Sequence, residues 1–136
     1  MAYDLIKRYE IPPENIVGHS DVAPTRKVDP GKAFPWKILA EDNIGLWIKD
    51  NTPATLRNKK PSELLSIIGY DITDEKAALL AFLRHFMPER IAFEQDVLHM
   101  EDILYERVKN CQEPDDEIKV LLAKVAYIYQ TKRSLK

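Results

Sequence analysis

A mostly α-helical chain, with one short strand and a loop in its first third and a small helical bundle at its close, is predicted by three observations. Apolar residues recur at helical spacing, in Leu79, Phe82, Leu83 and Phe86 and again in Ile118, Leu121, Leu122, Val125 and Ile128. The β-branched pair Ile16-Val17 runs into Gly18, the pattern of a short strand entering a sharp turn. Prolines and glycines fall between these segments rather than inside them. With 136 residues, 45% of them hydrophobic, the chain has enough apolar surface for one modest core or two small ones.

The elements follow in order. Leu5, Ile6 and Tyr9 share one face of a short amphipathic helix from about Tyr3 to Tyr9, stopped before Pro12-Pro13. This opening stretch carries charges among its apolar residues, so it is neither a signal peptide nor a membrane span. After the strand and loop, a second short helix begins near Pro35 and includes Trp36 and Leu39. Pro53 and Pro61 flank the basic cluster Arg57, Lys59 and Lys60, which reads as a solvated linker between residues 1–52 and residues 61–136.

Beyond that linker, a helix from near Ser62 to Ile68 ends on Gly69 as its C-terminal cap. Thr73 is expected to cap the next helix, which runs to about Met87 and stops at Pro88. Tyr70, between them, suits either a sugar-stacking platform or the core. Two further amphipathic helices are expected, from Phe93 to Lys109 and from Asp115 to about Lys132. In the latter, Asp115, Asp116 and Glu117 complement the positive helix start, and Lys132 and Arg133 its negative end. Its apolar stripe reads as a core-facing surface rather than a groove for a partner.

The chemistry is concentrated in residues 16–36, IVGHSDVAPTRKVDPGKAFPW. Gly18 would leave His19 exposed at a strand end, and Pro24 with Pro30-Gly31 excludes continuous helix through the segment that follows. Lys27 and Asp29 are two apart, so in extended backbone they project from one face, an ammonium beside a carboxylate. Imidazole with carboxylate is a donor pairing that zinc takes. A hydrolytic zinc needs three protein ligands and an open position, and this loop offers two, His19 and Asp29. If the metal takes Asp29, Lys27 is left beside it, a cation suited to negative charge developing on a carbonyl oxygen. The bland alternative is a hydrogen-bonded loop histidine and a Lys27–Asp29 surface ion pair worth ~0–1 kcal/mol. His85 flanks the apolar stripe of its helix and reads as a boundary histidine; His99 lies in the helical pattern of Val97, Leu98, Met100, Ile103 and Leu104. No glutamate has a spacing that marks it as a general base.

The string GHSDVAPTRKVDPGKAFPW closely resembles the closing segment of the type 2 N-acetylmuramoyl-L-alanine amidases, zinc enzymes that cut peptide stems from peptidoglycan. IGLW at 44–47, LLSIIGYDI at 64–72 and AFLRHFMP at 81–88 are similar to the cell-envelope branch of that family, which appends a small helical peptidoglycan-binding module. The resemblance covers about Tyr3 to Pro88. It implies His19 and Asp29 as zinc ligands and Lys27 as the catalytic oxyanion stabiliser. It implies a fold in which residues 1–52 are the C-terminal remnant of an α/β zinc amidase domain and residues 61–136 a helical bundle. It also implies another His ligand and a catalytic Glu from an earlier part of the domain, so that the chain on its own, as a truncated portion, is expected to be inactive. Peptidoglycan or muropeptides are the implied partners, with the missing N-terminal amidase segment, and the cell envelope or periplasm the implied location.

Composition narrows the remaining choices. A net charge of −2 and an isoelectric point near 5.9 leave no basic footprint for nucleic acid or an anionic membrane. A single cysteine, Cys111, cannot form an internal disulfide and leaves the compartment open. Two function classes stand. One is a zinc-dependent peptidoglycan amidase; the other is a noncatalytic peptidoglycan-binding or helical interaction module carrying a relic zinc loop.

Overall fold

The computed structural model describes residues 8–22, 34–42, 44–48, 51–90 and 114–134. Arg8 and Tyr9 are helical and Glu10, at φ 51°, ends that turn ahead of Pro12-Pro13. The earlier residues of the expected first helix lie outside the described set. A 3-10 turn, Pro13–Asn15, follows with proline at its start, where the missing N–H costs nothing.

Ile16 and Val17 do not form the expected strand. Ile16 is extended, with φ −99° and ψ 103°. A strand, however, exists by pairing its N–H and C=O groups with a neighbour, and among the described residues no strand runs beside it. His19 instead opens helix α1, His19–Val22, so a helical turn follows Gly18 where an exposed loop was expected. Helix α2, Trp36–Ala40, begins directly after Pro35 as anticipated.

Helix α3, Pro61–Ile68, carries proline in its first turn and closes on Gly69 at φ 117°. There the N–H groups of Gly69 and Tyr70 both donate to the Leu65 carbonyl, at 3.1 and 3.0 Å. Left-handed backbone is what glycine permits and other residues resist. Helix α4, Glu75–Phe86, is capped by Asp74, whose carboxylate accepts from the Ala77 N–H at 3.1 Å. Thr73 is not the cap. Its hydroxyl and N–H both donate to Asp71 Oδ1, at 2.8 and 3.0 Å, so a local turn around Asp71 takes the threonine one residue before the cap.

Helix α5, Asp116–Ser134, matches the expected last helix. The Asp115 carboxylate accepts from the Ile118 N–H at 3.0 Å and pairs with Arg90, in the 3-10 turn Pro88–Arg90. The helix expected over Phe93 to Lys109 lies outside the described residues.

The core is formed where α3 packs against α4 and α5, with Leu64, Leu65, Phe82, Leu83, Ile118, Leu122 and Val125 fully buried. Helix α4 also contacts α1 and α2. This corrects the amphipathic reading of α4. Every residue from Ala77 to Phe86 is buried, His85 included at 3% exposure, because a helix covered from several sides keeps no solvent face. Tyr70 is buried too. Arg57, Lys59 and Lys60 are exposed. Among the described residues, no helix is long and apolar enough to cross a membrane.

Candidate functional site

His19 is the first residue of α1, held in sequence between Gly18 and the Ser20-Asp21 pair. Lys27 and Asp29, like His99, lie outside the described residues. The third histidine, His85, sits in the core and not at the flank of a stripe.

Around Asp21, two positions after His19, the structure gathers residues that lie far apart in sequence. Asp21 Oδ2 accepts from the Gly18 N–H at 2.9 Å and faces His85 Nδ1 at 2.8 Å, where the ring N–H donates to the carboxylate. Asp21 Oδ1 accepts from the Tyr70 hydroxyl at 2.5 Å. The Asp21 side chain is 7% exposed, so these three donors replace most of the water that a carboxylate would otherwise hold. Each donor is fixed by its own surroundings. Tyr70 follows the Gly69 cap of α3, and its ring meets Phe82 edge to face at 6.4 Å. His85 is stacked between Trp36 and Phe86, with ring centroids 4.0 and 4.1 Å away.

Burial pushes the Tyr70 hydroxyl well above its ordinary range, and the adjacent Asp21 carboxylate adds to the shift, so the hydroxyl stays protonated and donates. His85 Nε2 is buried and makes no hydrogen bond among the described residues. Beside this cluster lies a cleft of about 380 Å³, which Asp21, Tyr70 and His85 share with Glu14, Tyr129 and Lys132. Its far wall ties the start of the chain to α5. The Tyr129 hydroxyl donates to the Glu14 carbonyl at 3.1 Å, and Lys132 Nζ lies 3.4 Å from the buried Glu14 carboxylate.

Among the described residues, no three His, Cys, Asp or Glu side chains come together as metal ligands. The cluster is a cradle for one carboxylate, and its chemistry is positional. Sequence reasoning missed it for an identifiable reason. Asp21 is adjacent to the motif, but nothing in local spacing links it to a tyrosine 49 residues on or a histidine 64 residues on. The available signal was a polar ring beside the apolar stripe of its helix, His85, which demands a partner once α4 is known to be buried.

No family model matches the chain. Among characterised proteins, it is similar to N-acetylmuramoyl-L-alanine amidase AmiD of Escherichia coli (strain K12), 38% identical over 104 residues that make up 65% of this chain and 38% of that protein. It is also similar to 1,6-anhydro-N-acetylmuramyl-L-alanine amidase AmpD of Enterobacter cloacae, 62% identical over 32 residues, 24% of this chain and 17% of that one. A solved structure of E. coli AmiD, in complex with the substrate anhydro-N-acetylmuramic acid-L-Ala-D-γ-Glu-L-Lys, superposes on 94% of this chain and 49% of its own, with a TM-score of 0.65 and 31% identity. The chain thus spans less than half the length of each relative it matches. Identity at this level, in sequence and in backbone together, makes the chain a homologue of the AmiD and AmpD N-acetylmuramoyl-L-alanine amidases.

Proposed function

We propose that this chain is the C-terminal part of a zinc-dependent amidase that cleaves the amide joining N-acetylmuramic acid to L-alanine. The observation that carries the reading is the match over 94% of the chain to AmiD, a protein whose solved complex holds a muropeptide. In this reading residues 1–52 contribute the metal loop and residues 61–136 the helical part, and peptidoglycan fragments of the cell envelope are the substrate.

The donor chemistry fits the metal. His19 imidazole and Asp29 carboxylate are groups that zinc takes, and they would hold it together with a further ligand from outside the described residues. When bound, zinc supplies Lewis-acid activation of water for attack on the amide carbonyl. Lys27 has a different task. Its ammonium has no lone pair to give a metal, and placed two residues from Asp29 it can face the carbonyl oxygen as negative charge builds there.

The test is a fusion of this chain to the part of E. coli AmiD that it does not cover, assayed on anhydro-N-acetylmuramic acid-L-Ala-D-γ-Glu-L-Lys. Release of the peptide is expected, with loss of both zinc and cleavage in Asp29→Ala. A folded, zinc-loaded fusion that leaves this muropeptide intact would defeat the proposal, and the noncatalytic reading would replace it.

A further inference from the structure

We propose that Tyr70 and His85, acting through Asp21, are positioning residues for the metal-binding turn, so that the helical part of the chain completes the amidase site as well as accompanying it. The inference rests on the zinc amidase reading for the role of His19.

Helix α1 has four residues. A helix that short has no stability of its own, because the ordering of its first turn is not repaid by further hydrogen bonds. Gly18, just before it, imposes little restraint on the chain's direction. The position of His19 is therefore set by whatever holds the turn from outside. The Asp21 carboxylate is that hold: one oxygen accepts from the Gly18 N–H at 2.9 Å and from His85 Nδ1 at 2.8 Å, the other from the Tyr70 hydroxyl at 2.5 Å.

Of these donors, Gly18 closes the turn on itself, and the other two belong to the helical part. Both are rigid. Tyr70 N–H is bonded to the Leu65 carbonyl at the end of α3, and the His85 ring is clamped between Trp36 and Phe86. A single carboxylate thus transfers the placement of α3 and α4 to the backbone that carries His19. Groups that orient a metal ligand in this way change metal affinity when removed, typically by about 10–100-fold.

The experiment uses the full 136-residue chain and two readouts: zinc affinity by direct titration, carried to zinc concentrations at which a weak two-ligand site fills, and amide hydrogen exchange at residues 18–22 against residues 79–83 of α4. The variants are His19→Ala, Tyr70→Phe, His85→Leu and His85→Asn. Tyr70→Phe and His85→Leu are expected to accelerate exchange at 18–22 while sparing 79–83, and to weaken zinc by about tenfold or more. His85→Asn, whose amide N–H can stand where Nδ1–H stood, is expected to recover most of the loss. A purely structural role would lower protection in α4 along with α1 and show no such rescue. If His19→Ala binds zinc like the parent, the amidase reading of His19 fails and the positioning role falls with it. If His19→Ala loses zinc but Tyr70→Phe and His85→Leu keep the parent's affinity, the positioning role alone is overturned. Should His85→Leu not fold, Tyr70→Phe, which removes one oxygen atom, decides the question.

Discussion

The Tyr70 hydroxyl donates to Asp21 Oδ1 across 2.5 Å, joining the residue after the α3 cap to the turn that carries His19. Because burial and the neighbouring carboxylate both raise the pKa of Tyr70, this donor is retained through neutral and mildly alkaline pH. Tyr70→Phe keeps the ring contact with Phe82 and leaves Asp21 one donor short. A hydrogen bond to a carboxylate contributes about 1.5–3 kcal/mol, so a loss in that range is expected in urea unfolding. An unchanged midpoint would mean that water replaces the hydroxyl without cost.

Zinc retention follows from ligand count. On the proposed reading His19 and Asp29 would supply two ligands where a hydrolytic site has three, and the described residues bring no three His, Cys, Asp or Glu side chains together. The isolated chain is expected to lose zinc on dialysis against a strong chelator. Stoichiometric zinc surviving that treatment would require another ligand from within the chain or from a second copy.

On the proposed reading Lys27 acts in catalysis and not in metal binding, which a substitution can separate. In the AmiD fusion, Lys27→Ala is expected to leave zinc content unchanged while lowering turnover by about a hundredfold or more, the usual cost of one oxyanion contact. Parent-like turnover on muropeptides would remove Lys27 from the mechanism.

Gly45 should not tolerate a side chain. Its φ is 83°, and an added Cβ would stand 2.7 Å from Cε3 and Cζ3 of the buried Trp36. Gly45→Ala is expected to destabilise the chain by ~1–3 kcal/mol, combining left-handed strain with a steric clash. Since Trp36 stacks on His85, the same variant should perturb the His85 ring signals in NMR spectra. Wild-type stability with unmoved His85 resonances would contradict both the clash and the stack.

Acid should loosen the start of α5. The Asp115 carboxyl is held below the usual carboxylate range, chiefly by its hydrogen bond from Arg90 and then by the Ile118 N–H. A depressed folded-state pKa means that the stabilisation is complete above the unfolded value of about 3.9 and is lost as pH falls through the lower folded value. Asp115→Asn keeps a capping oxygen but drops the charge. Its stability should therefore lie below the parent's at neutral pH and converge with it as pH falls below the unfolded carboxylate value. A constant gap across that range would assign the effect to shape instead of charge.

Much of the fold was legible along the chain because its signals are local. Pro61 and Gly69 bracket α3, Pro35 precedes α2, and the stripe Ile118, Leu122 and Val125 is the buried face of α5. Each depends on backbone limits or on residues one helical turn apart, which sequence displays directly. The motif around His19 likewise carried the resemblance to the amidases without a structure. Tertiary structure alone decided the rest. Whether Ile16-Val17 is a strand depends on a neighbour to pair with, and whether Thr73 or Asp74 caps α4 depends on which carboxylate claims the threonine. Whether His85 and Tyr70 are surface or core depends on what packs over α4, and their common attachment to Asp21 spans 64 and 49 residues. Such contacts exist only when the chain is closed on itself, since the entropy of bringing distant segments together is offset by the whole core and not by any pattern near those residues.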